Sequence, residues 1–517
     1  MTSTDVEVLI VGGGPVGLTA RALLERWGVQ TLLVERHAKL SPFPRSRLVN
    51  VRSMEIYREL GIATEISARA FAPSYGHIRF RDTLCDDDFA AAAMVGINAP
   101  VPESPEVGVV TSQDRLEPIL LAAADSETRF GAELIDLVEE DDGVVASVVV
   151  HGDETRVRAR YVLAADGANS TVRSLLGIGM TGPGALAKIT TVVFDADLEH
   201  GAGAHAGVYF TSHGTFLPLY PEGGWAWVSP TPEDTETADW AALVSRAIGT
   251  DTHVDVTRVQ HWVMNASIAE RFQHNRILLA GDAAHAIPIL GGMGMNTGIA
   301  DVHNLCWKLA GVLRGWAGPS LLETYELERQ PVAQQTLRQT VANTQLAIGV
   351  QTRRQSGETP PEKIELPWSD RYFAQLGLVL GTCYRSSSIL TNEDAPTTSP
   401  GSDYLPTAKP GHRLPHQWLT DGRSSLDICG GWFALLAADP GQWQQLPTRS
   451  WPLRVEALPQ AYADHYGLGP HGALLVRPDG HISARLSDHP ADDTTVEHAF
   501  ATTTCLPATV ASSRQLS

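Results

Sequence analysis

The 517-residue chain is poor in cysteine, aromatic residues and basic charge, and it contains no long apolar run. Its five cysteines (Cys85, Cys306, Cys383, Cys429 and Cys505) are scattered and form no Cys-x-x-Cys pair. A disulfide framework is therefore not expected, and a reducing, cytoplasmic setting is. Lys plus Arg total 39 against 59 Asp plus Glu, a formal net charge of −20. Such a surface repels phosphate backbones and argues against a nucleic-acid partner. No stretch reaches the roughly 20 apolar residues that span a bilayer, so no membrane association is expected. The first apolar run, Val8–Val11, follows Asp5 and Glu7 and breaks into glycines, unlike a secretion signal. No His/Cys/Asp/Glu set has metal-ligand spacing, and the runs Asp86–Asp88 and Glu139–Asp142 read as solvated loops. No Gly-x-Ser-x-Gly nucleophile elbow occurs.

What is present is the composition of a globular protein, 43% hydrophobic and 19% charged, too long for one core and so divided into two or three domains. Val6–Val11 is a short, β-branched apolar run suited to a buried parallel strand. Val16–Trp27 carries apolar residues at helical spacing and is stopped by Gly28, and Gln30–Glu35 supplies a second strand. Parallel-strand texture returns at Val157–Asp166 and Arg276–Asp282. Between them, from about 187 to 265, short alternating runs broken by Gly and Pro predict an inserted antiparallel sheet. A core-facing helix follows Gly294, with Val302, Leu305, Leu309, Val312 and Leu313 on one face. Residues 353–368 and 391–412 have linker composition, and strand-like runs resume after about 413. The expectation is an α/β protein. A Rossmann-like dinucleotide-binding domain falls in two parts (1–175 and 273–395), with a sheet domain inserted at 176–272 and a small α/β domain at 400–517.

Gly12-Gly13-Gly14-Pro15-Val16-Gly17 fits the dinucleotide fingerprint. Gly12 permits a tight turn, Gly14 lets backbone approach a pyrophosphate, and Gly17 allows close packing of the helix that Pro15 and Val16 open. Glu35, with Arg36 beside it, ends the second strand where an acid can bind ribose hydroxyls. These features leave open whether the dinucleotide is NAD, as in a dehydrogenase, or FAD. Two further strands end in Asp166-Gly167 and in Gly281-Asp282-Ala283-Ala284-His285, each delivering an Asp to a strand's carboxyl end, where open α/β sheets bind ligands. Gly291-Gly292-Met293-Gly294-Met295-Asn296 then precedes the long helix, with free N–H groups suited to a developing negative charge.

Taken together, and in this order, these segments resemble the FAD-dependent aromatic hydroxylases related to para-hydroxybenzoate hydroxylase, and within them the hydroxylases that tailor aromatic polyketides in actinobacteria. Pro44-Arg45-Ser46 with Arg52-Ser53-Met54-Glu55 resembles the family's loop whose first arginine contacts FAD. Ser112-Gln113-Asp114-Arg115-Leu116-Glu117 resembles the segment whose glutamine reaches the flavin's ribityl chain. Leu322–Glu326 with Glu328-Arg329-Gln330-Pro331 resembles its helix-end signature. Pro410–His416 and Leu475–Gly480 resemble the thioredoxin-like third domain of the larger members. Cys429 has no redox partner nearby, so a structural or dimer-supporting role is expected there.

The resemblance implies FAD as cofactor, NADPH or NADH and dioxygen as co-substrates, and a polycyclic aromatic polyketide as substrate. It implies hydroxylation through a flavin hydroperoxide, in antibiotic biosynthesis, by a monomer or homodimer. Asp166, Asp282, Pro288, Gly294, Met295 and Asn296 would line the FAD site with Arg45 and Gln113. Two departures stand beside the expected flavin edge, where Ile289 follows Pro288 in place of a second proline and Met293 replaces a glutamine. They keep open a Baeyer–Villiger insertion or oxidative ring rearrangement of the same substrate class, and a non-catalytic flavin-binding partner is the reading from another class. Tyr220, Trp225 and Trp227, with Ile289 and Met293, are the candidate substrate pocket, and Tyr384-Arg385 resembles a segment that faces substrate. His285 belongs to the turn signature.

Overall fold

The computed structural model describes residues 3–198, 205–356, 365–369, 375–391, 403–419, 421–443, 453–486 and 493–506. Its first sheet runs, in spatial order, Gln273–His274, Ile277–Leu279, Asp153–Ala164, Ser3–Val11, Thr31–Glu35, Glu127–Phe130. All its pairings from Ile277–Leu279 to Glu127–Phe130 are parallel. Val8, Leu9, Ile10, Leu32, Leu33, Val162 and Leu163 are wholly buried, as continuous apolar strands covered on both faces must be. Helix Pro15–Arg26 has proline in its first turn, and Gly28 at φ +69 turns the chain into the second strand. The expected helix Val16–Trp27 thus sits one residue earlier.

The second sheet joins Met180–Asp195 to Asp255–Ala269 and to Gly223–Pro230, Gly214–Tyr220 and Val208–Thr211. It also takes His77–Phe80 and Ala90–Ala93 from the first 175 residues, the former parallel to Val208–Thr211. Those four-residue strands are too short for alternation to mark them. Cross-strand register divides the sheet into two faces. Val192, Phe194, Phe216 and Trp227 pack with Val244, Ala247 and Ile248 of helix Trp240–Ile248. On the other face Phe210 meets Ala347 and Val350 of the 34-residue helix Glu323–Ser356.

The third sheet has the order Leu453–Ala457, Phe433–Ala437, Ala473–Val476, Ile482–Leu486, with one parallel and two antiparallel pairings, the thioredoxin-like pattern. A buried ionic seam fastens it to the dinucleotide-binding domain. Glu328 accepts from Arg477 at 2.7 Å and 2.9 Å and from Lys308 at 2.8 Å, and Arg477 also pairs with Asp479. Arg413 reaches Glu55 across the same boundary. Cys429 is buried, and burial pushes its thiol up to about 12, which fits a structural role. Of the two linker-like stretches, Arg353–Ser356 still belongs to the long helix, while 357–364 and 392–402 lie outside the described residues. Among the described residues no helix is long and apolar enough to cross a membrane.

Candidate active site

The three parallel strands that carry the motifs end side by side. Gly12 lies at φ +107, and a Cβ there would strike the carbonyl oxygen of Ala165. The first glycine is therefore required because the loop presses against the strand that delivers Asp166. A Cβ on Gly17 would run into the carbonyl oxygen of Gly12, so this glycine closes the first helical turn onto the loop. Gly14 differs. It is partly exposed, extended, and a Cβ there would meet nothing within 4 Å. Glu35 accepts from the Gly13 amide at 2.7 Å and the His37 amide at 2.9 Å, which ties the second strand end to the glycine loop, and Arg36 points to solvent beside it.

Asp166 accepts from the Val172 amide at 3.1 Å through one oxygen, while its other oxygen is buried without a partner. Arg173 donates to the carbonyl of Ala283 at 2.9 Å and so links this turn to the third strand end. There, Asp301 of the 22-residue helix Met293–Arg314 accepts from the Gly281 amide at 3.1 Å and from the His285 ring at 2.7 Å, and Arg329 donates to its other oxygen at 2.8 Å. Burial would raise the Asp301 carboxyl, but His285 and Arg329 hold it below its ordinary value. Asp301 and Arg329 were not singled out as site residues by sequence. Asp282, by contrast, is exposed at its surface yet enclosed by protein at longer range, the situation of a carboxylate on a cleft floor. That enclosure raises its carboxyl, with His285 and Arg45 opposing and Asp301 adding. A Cβ on Gly281 would touch Val16 at 3.0 Å, and one on Gly298 would be 2.6 Å from the same Val16, so glycines let the long helix close on the fingerprint helix.

The loop carrying Arg45 lies close enough to Asp282 for its charge to be felt there. Gln113 accepts from the Ser46 amide at 3.3 Å and donates to Glu117 at 2.7 Å, which places the Arg45-Ser46 and Gln113 segments together. Arg47, which motif reading passed over, donates to the carbonyls of Pro218 and Gly207 and joins this loop to the second sheet. Burial lowers its guanidinium to about 10. Asn296 uses its whole amide on structure. It accepts from the Asn50 amide and the Ser53 hydroxyl and donates to the carbonyls of Leu48 and Gly292. Gly291 and Gly292, at φ +104 and +64, bring the backbone amides of the Gly294 turn to the helix start, with the Gly294 Cβ position 3.8 Å from Asp282. Met295 packs against the main core.

The pocket residues separate. Trp227 is buried against Phe216 and Val244, and Trp225 packs on the same side against Tyr209. That is the face away from the long helix, so the expected tryptophan wall is instead sheet core. Register puts Leu217, Leu219, Ala226 and Val228 on the face shared with Phe210. Tyr220 lies at the sheet's end, donates to Asp114 at 2.9 Å and packs near Phe71, Tyr75 and Leu48. Ile289 is 51% exposed, whereas Pro288 is buried and Met293 turns into an apolar cluster with Val51, Leu376 and Leu380. Tyr384 is buried at the C-terminal seam, stacked on His481 at 4.1 Å and hydrogen-bonded to Arg329 at 3.2 Å. Arg385 beside it donates to the carbonyls of Tyr384 and Pro410. This pair joins domains rather than facing a cleft, because sequence cannot show that the chain turns inward there.

An open space before Gly14, an exposed carboxylate on an enclosed floor and an orphaned buried oxygen on Asp166 fit a dinucleotide lying across the three strand ends. A family model described as an FAD binding domain matches residues 5–340, and one described as the C-terminal part of aromatic-ring hydroxylases matches 407–505. The chain is 35% identical to 4-methyl-5-nitrocatechol 5-monooxygenase of Burkholderia, over 94% of each. It is 34% identical to aklavinone 12-hydroxylase RdmE of Streptomyces purpurascens, over 95% of this chain and 97% of the relative. The crystal structure of aklavinone-11 hydroxylase with FAD and aklavinone superposes with a TM-score of 0.84 at 32% identity, covering 98% of this chain and 100% of that one.

Proposed function

The chain belongs to the FAD-dependent aromatic-ring hydroxylases, and from that premise we propose that it is a monooxygenase that uses NAD(P)H and dioxygen to hydroxylate a polycyclic aromatic polyketide in antibiotic biosynthesis. The observation that supports the reading is that the strands leading to Gly12, Asp166 and Asp282 are neighbours in one parallel sheet, with Gly12 and Gly17 unable to bear a side chain. Bound there, FAD supplies the redox chemistry with dioxygen.

The chain's own residues do the rest. The loop Gly12–Gly14 and the amino end of helix Pro15–Arg26 present N–H groups to the pyrophosphate, and Glu35 receives the ribose hydroxyls. Asp282 and Gln113 hold the ribityl chain, with Arg45 close enough to Asp282 to oppose its rise in pKa. The turn at Gly292–Gly294 aims backbone donors and the positive end of a 22-residue helix at the ring, where negative charge is stabilised. The apolar sheet face of Leu217, Leu219, Ala226 and Val228 excludes water and positions a planar substrate. Aklavinone hydroxylases recur among both the sequence relatives and the solved neighbours, which favours a fused-ring substrate over a single ring.

The test is NAD(P)H consumption by the FAD-loaded protein in the presence of an anthracyclinone or a nitrocatechol. Stimulation by the fused-ring compound supports the proposal. Stimulation by neither returns the chain to a non-catalytic flavin-binding role, and by nitrocatechol alone overturns the substrate class. Exposed Ile289 supports a second reading, ring insertion or oxidative rearrangement of the same substrate class, distinguished by where the labelled oxygen sits in the product, as a hydroxyl on an intact ring or within a new lactone or rearranged ring.

A further inference from the structure

Two buried side-chain amides beside the Gly291 loop each carry one polar atom without a partner among the described residues. Asn343, wholly buried, accepts from Gln339 at 2.9 Å through its carbonyl, and its Nδ2 is left without an acceptor. Gln375 is 4% exposed and its Oε1 is likewise buried and unpartnered. Both approach Gly291. A Cβ there would lie 3.3 Å from Asn343 Nδ2 and would clash with Gln375 Nε2, the nitrogen end of the amide whose oxygen is unpartnered, and Gly291 lies two residues after exposed Ile289.

They lie near the place where the long helix packs on the second sheet. Asn343, Ala347, Val350 and Gln351 share one face of the long helix, at helical spacing. Ala347 and Val350 pack on Phe210 and Leu290, and Gln351 donates to the Phe210 carbonyl at 2.9 Å. One turn earlier, Asn343 therefore stands where the apolar sheet face meets the Gly291 loop. Gln375 also holds a left-handed backbone, φ +52, a conformation that costs a side-chain-bearing residue and persists where surrounding structure enforces it.

A buried donor and a buried acceptor left dry are each costly, and native proteins satisfy nearly all such groups. A single hydroxyl is donor and acceptor at once. We propose that Asn343 and Gln375 form a substrate subsite for one phenolic hydroxyl, with Asn343 Nδ2–H donating to the phenol oxygen and the phenol O–H donating to Gln375 Oε1. This rests on the reading of the cleft as the substrate site, and it makes the two residues determinants of specificity for hydroxylated fused-ring aromatics.

The test titrates the FAD-loaded protein with 2-hydroxyanthraquinone and with anthraquinone, reading flavin fluorescence. The parent protein should bind the hydroxylated probe at least about tenfold more tightly, since a site built to hydrogen-bond a hydroxyl rejects the analogue without it. Asn343→Leu and Gln375→Gly should each reduce that ratio to about one. Glycine accepts the left-handed backbone, so the second variant keeps the fold. No preference in the parent, or a preference surviving in either variant, overturns the subsite. A protein that binds FAD and is stimulated by anthracyclinone yet shows no preference refutes the subsite alone, whereas one that takes up no FAD refutes the cleft reading and the subsite with it.

Discussion

The carboxylate of Asp301 accepts a hydrogen bond from the backbone amide of Gly281 at 3.1 Å. That single contact fixes the turn that presents Asp282, because the same carboxylate is anchored by His285 at 2.7 Å and Arg329 at 2.8 Å. Asp301→Ala should leave the Arg329 cation buried and uncompensated, at about 3–5 kcal/mol, and release the turn. The expected outcome is a lower melting temperature together with at least tenfold weaker FAD binding, read by denaturation and by flavin fluorescence.

Two of the fingerprint glycines, and Glu35 beside them, should separate in their effects. A side chain at Gly14 projects into open space, so Gly14→Val should fold with a melting temperature near the parent's apo value yet retain no flavin. At Gly17 the Cβ meets the Gly12 carbonyl, so Gly17→Ala should lose stability even without FAD. Glu35→Ala should weaken FAD by about 1–3 kcal/mol, leaving the Gly13 amide and the ribose unmatched. Melting curves and FAD titrations of the apoproteins check all three.

How far the sequence foretold this site follows from the physics of each residue. Gly12, Gly17, Asp166 and Asp282 could be found because turns at strand ends demand particular residues at fixed spacing. Asp301 and Arg329 could not, since a buried ion pair between helices 28 positions apart leaves no periodic signal. Trp225 and Trp227 stand two apart on one strand and so share a face, but which face is core depends on what packs on each side. Tyr384 was equally opaque. Its partner His481 lies in another domain, and only the docked sheet reveals the contact.

The tryptophans give a direct check of the two faces. Trp227→Ala should cost about 3–5 kcal/mol of stability through the cavity it leaves beneath helix Trp240–Ile248, with the position of hydroxylation unchanged. Leu217→Phe, on the cleft face, should change KM for a fused-ring substrate more than it changes stability. Chemical denaturation and steady-state kinetics on both variants separate the two.

Acid should weaken the C-terminal seam. Burial pushes the His481 imidazole down to about 4, despite Asp479 beside it. Between that value and the ordinary 6.5 the unfolded chain binds a proton that the folded chain refuses, so stability falls as pH drops through this window. Glu328 adds to the loss below its ordinary 4.5; burial alone would raise it, but Arg477 and Lys308 hold it far lower. The melting temperature should therefore decline from pH 6.5 toward 4, and His481→Phe, which keeps a ring on Tyr384, should flatten the upper part of that decline.

The most direct measurement is product mass after turnover of the FAD-loaded protein with NAD(P)H, an anthracyclinone and isotopically labelled dioxygen. One labelled oxygen atom in the aromatic product is the expected result, and Gly14→Val should give none. A protein that stays colourless with added FAD, or a product whose new oxygen comes only from water, would contradict the assignment of the three strand ends to an oxygenating flavin site.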